Sequence, residues 1–128
     1  MRFRVQKLIR DRLPEIMRAQ GLAVFDHRLE DTEFVAALGE KLVEEAHEAR
    51  LAGPGEVAGE LADVLEVVHA LALVHGLSFQ DVEAARLAKR AERGGFDARV
   101  YNAAVEAADG LPAAEYYLAR PEQYPRED

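Results

Sequence analysis

The stretch that most restricts this chain is Gly53-Pro54-Gly55, a turn between two helix-forming runs that must fold back on each other. Glycine is common just past a helix end, and proline readily opens the next helix. Counting outward, Glu48 lies five residues before Gly53 and Glu60 five after Gly55; Glu45 lies eight before and Asp63 eight after. In an antiparallel hairpin these pairs sit at matching heights, about 7.5 and 12 Å from the turn at the helical rise. The fold-back therefore gathers four carboxylates into one patch.

Their direction matters more than their number. With Phe34 at zero and about 100° per residue, Leu38, Leu42, Ala49 and Ala52 form an apolar stripe facing a core. Glu45 falls inside that stripe and Glu48 at its edge. The second run, Val57 to about His75, is apolar on most sides, with Leu61, Val64, Leu65, Val67, Val68, Leu71, Leu73 and Val74. Such a helix is expected to be buried, and Glu60 and Asp63 interrupt its apolar surface. Like-charged carboxylates in an apolar setting are costly, and their pKa values rise unless a cation joins them. An all-oxygen set suits a hard ion, Mg²⁺ or Mn²⁺, rather than tetrahedral zinc.

Other classes are disfavoured. With no cysteine, disulfides and thiolate metal sites are excluded, and the chain suits a reducing cytosol. No apolar run is long enough to cross a bilayer, and the N-terminal MRFRVQKLIRD lacks a signal-peptide core. Sixteen basic against 24 acidic residues give a net charge of −8, which argues against nucleic acid as partner. There is no P-loop, no G-x-G-x-x-G and no Ser–His–Asp arrangement.

Along the chain, residues 2–9 read as a short strand or extended arm with Phe3 and Val5 on one face. Asp11 is expected to cap a short helix carrying Leu13, Ile16 and Met17, with Pro14 in its first turn and Gly21 as its stop. Residues 22–29 read as extended. Asp31 or Thr32 caps the first long helix, Phe34 to about Leu51, and Gly76 ends the second. Ser78 with Asp81 forms a capping box for a third helix, Phe79 to about Arg93, closed by Gly94-Gly95. Val82, Arg86, Lys89 and Arg93 share one face of it, and Lys89 and Arg93 also suit the helix C-terminus. Further on, 99–108 reads as a short helix, Gly110-Leu111-Pro112 as a turn, 113–119 as helical, and PEQYPRED as a frayed end. His47 projects away from the acid face, and the four tyrosines read as packing residues. The expectation is one all-α domain, residues 1–128: a hairpin plus a third long helix and a short N-terminal one, forming a helical bundle. The second long helix has too few polar positions for a monomer, so assembly is expected.

KLVEEAHEA followed by ELADVLEVVHAL resembles the E-E-x-x-E … E-x-x-D signature of the MazG-like, all-α nucleotide pyrophosphohydrolases. KLIRDRLPEIM and KRAERGGF are similar to motifs of a subgroup related to phosphoribosyl-ATP pyrophosphohydrolase, described as house-cleaning enzymes. The likeness covers about residues 6–100; residues 101–128 form an extension outside it. It implies Mg²⁺-dependent hydrolysis of a nucleoside triphosphate to the monophosphate and pyrophosphate, by a homodimer or dimer of dimers in the cytoplasm. Carried over by position, Glu45, Glu48, Glu60 and Asp63 hold metal, and Glu44 is a group supporting the ligands or activating water. Lys41, Lys89 and Arg93 contact phosphate, while Lys7, Arg10 and Asp11 lie on the substrate side or at the subunit interface. Gln6 departs from the asparagine common in the subgroup, which leaves that position's role open. The rivals are phosphoribosyl-ATP pyrophosphohydrolase itself and a non-catalytic helical dimerisation or regulatory module.

Overall fold

A computed structural model describes all 128 residues and contains five helices and no strand. They are α1 (Leu13–Ala19), α2 (Asp31–Leu51), α3 (Val57–Val74), α4 (Phe79–Arg93) and α5 (Pro112–Leu118). The chain divides into two units, Met1–Glu92 and Arg93–Asp128, with the boundary in the last turn of α4.

In the first unit, α2 and α3 are the only helices packed along each other. Ala52 leaves α2 in an extended conformation, and the Glu56 N–H donates to Gly53 O (2.9 Å) to close the turn before Val57. The buried apolar residues of this pair are Leu38, Val67 and Ala72. The expected burial of α3 is not found within one chain. Leu61, Leu65 and Leu73 remain exposed, Leu73 at 77%, because no other helix lies against that side. The bundle expected of the third long helix is likewise absent within one chain. Apart from the Phe79 ring, which stacks on His69 at 4.1 Å, α4 packs on neither α2 nor α3.

Helix ends explain the boundaries. Gly21 (φ +90°) stops α1: its N–H donates to Arg18 O (3.0 Å) and the Leu22 N–H to Met17 O (3.1 Å), the Schellman pattern. Gly76 (φ +74°) repeats the pattern after α3, with Leu77 N–H on Ala72 O at 2.8 Å. At α4 the capping box forms as read: Ser78 N–H donates to Asp81 Oδ2 (2.8 Å) and Asp81 N–H to Ser78 Oγ (3.1 Å). The Ser78 N–H, and after it the Ser78 hydroxyl, hold the Asp81 carboxyl below its ordinary pKa. The other two expected caps do not form. Arg12, not Asp11, precedes α1, Glu30 precedes α2, and neither makes a side-chain cap bond.

Residues 1–12 form an irregular arm rather than a strand, with Phe3 and Val5 both exposed. Residues 22–30 are also irregular; Arg18 ties them back to α1 through Val24 O (2.9 Å) and an ion pair with Asp26. Arg2 lies over the Phe25 ring, 4.5 Å from its centroid.

In the second unit, residues 99–108 are not helical. Arg99 adopts a left-handed φ of +58°, which an α-helix cannot include. The tail is not free as far as Tyr124. Its N–H donates to Arg120 O (2.8 Å), and its ring packs on Tyr116 and Tyr117 with centroids 5.9 and 4.9 Å apart. Three of the four tyrosines thus pack on one another, and Tyr101 stands exposed.

The accessible surface is 11569 Å² for 14.2 kDa. A compact chain of this mass exposes about 6,800 Å², and even two separate compact bodies of these lengths about 8,000 Å².

Candidate metal centre

The hairpin register decides which acids meet. Glu45 projects from the buried side of α2, four-plus-three residues on from Leu38 in the same stripe, and is 7% exposed. Glu60 and Asp63, one turn apart on α3, face it. One carboxylate oxygen from each of Glu45, Glu60 and Asp63 lies within 4.8 Å of the other two. Glu48 is exposed and outside this trio, but its carboxyl adjoins that of Glu60, as the mirrored spacing about the turn requires.

Glu45 Oε2 and Glu60 Oε2 are buried and accept no hydrogen bond. A carboxylate oxygen taken out of water without a donor is destabilising by about 1–3 kcal/mol or more. The Glu60 carboxyl is accordingly raised above its ordinary pKa, first by burial and then by the charges of Glu48, Asp63 and Glu45. A hard divalent cation removes both penalties, since it supplies positive charge to unsatisfied oxygens and prefers oxygen ligands. The residues present fit such an ion.

Cations surround the acids on one side. Lys41 Nζ donates to Glu44 Oε2 (3.4 Å) and lies 3.3 Å from Glu45 Oε1, the i,i+3 and i,i+4 contacts of one helix face. Lys7, from the arm, donates to Glu44 Oε1 at 2.9 Å. Glu44 is therefore clamped between two lysines, and the hydrogen bond from Lys7 is the main reason its pKa falls below the ordinary carboxylate value. Arg10 Nη2 donates to Asp63 Oδ1 at 2.7 Å. The spacing of residues along helices cannot reveal these arm contacts, because they join positions 37 and 53 residues apart. Only the matching of charge hints at them.

The position left open in the sequence has a conformational role. Gln6, just before Lys7, adopts φ +50°, a left-handed conformation that asparagine tolerates better than glutamine. The chain bends there, and the next side chain reaches Glu44.

Not every expected residue joins the centre. Asp11 is exposed and makes no side-chain bond to the acids. Lys89 is exposed on α4, which does not lie along the hairpin, and Arg93 falls in the second unit. On the same helix Arg86 pairs with Glu83. His47 is exposed, as its helix face implied.

The chain is similar to an uncharacterised protein of Mycolicibacterium smegmatis, 44% identical over 54 residues. That match covers 42% of this chain and 55% of the other protein, so the chain spans about half the length of its relative. No protein-family model matches the chain, and no solved structure matches it.

Proposed function

We propose that this chain is a Mg²⁺-dependent nucleoside triphosphate pyrophosphohydrolase of the MazG-like all-α type, converting (d)NTP and water to (d)NMP and pyrophosphate. It acts in the cytoplasm as a homodimer and clears non-canonical nucleotides. One observation carries the reading: carboxylate oxygens of Glu45, Glu60 and Asp63 converge within 4.8 Å, and two oxygens of the cluster are buried without a donor. A cation on this cluster would satisfy the two oxygens that no donor reaches.

Glu45, Glu60 and Asp63 would hold the ion, with Glu48 beside Glu60 to complete the set. A bound Mg²⁺ would supply positive charge against phosphate oxygens and make a nearby water more acidic. Lys41 supplies a fixed positive charge against Glu45, on the side where phosphate charge must be met. Glu44, kept ionised by Lys7 and Lys41, accepts a hydrogen bond from the attacking water and orients it. Water attacks the α-phosphorus, the α–β bridging bond breaks, and pyrophosphate leaves with its charge stabilised by cations. No covalent intermediate is needed.

Assembly as a dimer is supported by apolar surface that water should not keep. Leu61, Leu65 and Leu73 on α3 and Leu87 on α4 are between 46% and 77% exposed.

The test is a panel of standard and damaged nucleoside triphosphates with Mg²⁺, with products resolved. Monophosphate and pyrophosphate are expected from at least one, and Glu45→Gln or Asp63→Asn should reduce turnover by at least a hundredfold. Release of orthophosphate alone, or no turnover of any nucleotide, overturns the reading.

A further inference from the structure

The N-terminal arm does something that a substrate-binding segment alone does not explain: it is fastened to the metal centre by its own cations. Arg10 donates to Asp63, one of the three converging acids, and Lys7 donates to Glu44, the neighbour of another. Leu13 N–H closes a turn on Arg10 O at 2.9 Å, so Arg10 begins the turn that leads the arm into α1. A guanidinium and a divalent ion therefore compete for one carboxylate. The charges are consistent with this. Five carboxylates (Glu44, Glu45, Glu48, Glu60, Asp63) face three cations (Lys7, Arg10, Lys41), leaving two negative charges, the amount one divalent ion neutralises.

We propose that Arg10 is a displaceable internal counter-ion: it holds Asp63 in the metal-free protein, and binding of a divalent cation releases it and loosens the arm. The proposal rests on the metal assignment above. Its physical basis is mutual exclusion between like charges. A 2+ ion and a guanidinium on one carboxylate repel each other even in water, while each alone gains from Asp63. The pair is also weak enough to yield, since both side chains are partly solvated, Arg10 at 58% and Asp63 at 39% exposure. Released, Arg10 is a mobile positive charge beside a bound ion, suited to an incoming polyphosphate, while Lys7 stays on Glu44. The metal thus arms the site for substrate rather than only joining it.

Two measurements on the full chain decide the matter, both made without nucleotide. Mn²⁺ binding is followed by electron paramagnetic resonance. Arg10→Gln should bind Mn²⁺ about three- to tenfold more tightly than wild type, by loss of the competing charge. Arg10→Lys should fall between. Arg12→Gln, whose side chain pairs with Glu15 away from the acids, should match wild type. In parallel, limited trypsin digestion is read by mass spectrometry. Saturating Mn²⁺ should speed the cut after Arg10 several-fold while leaving the cut after Arg4 unchanged. Unchanged or weakened Mn²⁺ affinity in Arg10→Gln overturns the proposal, as does an Arg10 cleavage rate indifferent to Mn²⁺. If wild-type protein binds no Mn²⁺ at all, the metal assignment itself falls and takes the proposal with it, which separates the two failures.

Discussion

Glu45 on α2 and Glu60 on α3 face each other across the hairpin, each with one buried carboxylate oxygen that accepts no hydrogen bond. Two acids on facing helices in this state make the metal-free hairpin least comfortable when both are ionised. The Glu60 carboxyl binds its proton more tightly in the folded chain than its ordinary 4.5, chiefly through burial and then through its acidic neighbours. A raised carboxyl favours folding below the ordinary value, and that advantage is lost as pH rises through the raised one. In metal-free protein Glu60 should therefore contribute a downward slope of melting temperature as pH rises above 4.5. Glu60→Gln should flatten that slope and melt higher at neutral pH. Mg²⁺ or Mn²⁺ at about a hundred times its dissociation constant should stabilise wild type by about 2.7 kcal/mol, and the variant much less. Parallel pH slopes for the two proteins, measured by calorimetry in chelator, would show that Glu60 carries no such strain.

Leu38 has the least exposed side chain of the α2–α3 seam, at 3%. With so few buried residues to share the load, Leu38→Ala should cost about 2–4 kcal/mol by lost burial and an unfilled cavity. Urea denaturation should show this as a lowered midpoint. A change below about 0.5 kcal/mol, the size of an ordinary surface substitution, would mean the seam is not the stabilising core.

The hairpin, its turn, the extents of the three long helices and the convergence of the acids follow from short-range regularities. The 3.6-residue period aims Glu45 into the apolar stripe, and equal counts on either side of Gly53-Pro54-Gly55 set the heights of facing residues. What escaped were features set by distant parts of the chain. That Lys7 would reach Glu44, or Arg10 Asp63, depends on how the arm crosses the hairpin, which no periodicity encodes. Residues 99–108 carry the alanines and charges of a helix, yet Arg99 is left-handed and the residues after it are irregular. The apolar circumference of α3 was read as burial, whereas Leu61, Leu65 and Leu73 are bare in one chain. Hydrophobicity states that a surface is to be covered and is silent on whether the same chain covers it.

Ser78 and Asp81 exchange hydrogen bonds at the start of α4, a helix with no long partner to stabilise it. Local capping should thus matter more here than in a packed helix. Ser78→Ala is expected to cost about 1 kcal/mol, and amide exchange in the first turn of α4 should speed about fivefold, while exchange in the middle of α2 stays constant. Equal acceleration in both helices would show that the cap supports the whole unit instead.

If α3 is covered by a second copy, Leu73 is the residue to charge. It is 77% exposed and distant in sequence from the acids, so its replacement should spare the metal centre. Sedimentation of wild type should give a dimer or larger. Leu73→Lys should weaken association by at least tenfold, consistent with a buried lysine leaving an uncompensated charge at the interface. Mn²⁺ binding per chain should persist. A wild-type monomer at about 100 µM, where weak complexes still form, or a Leu73→Lys dimer as tight as wild type, would remove this face from the interface.

Gln6 tests whether the arm is bent in the way described. Its φ of +50° is costly for glutamine by about 1 kcal/mol and less so for asparagine, whose short side chain suits the left-handed region. Gln6→Asn should therefore favour the docked arm and slow tryptic cleavage after Lys7 by about two- to fivefold in metal-free protein. Gln6→Val should do the reverse, since a β-branched residue is poorly tolerated at positive φ. Both effects should shrink when Glu44→Gln removes the main partner of Lys7, because the bend then no longer delivers that side chain to a carboxylate. Cleavage rates that ignore residue 6 in either background would mean the bend does not govern how the arm reaches the metal centre.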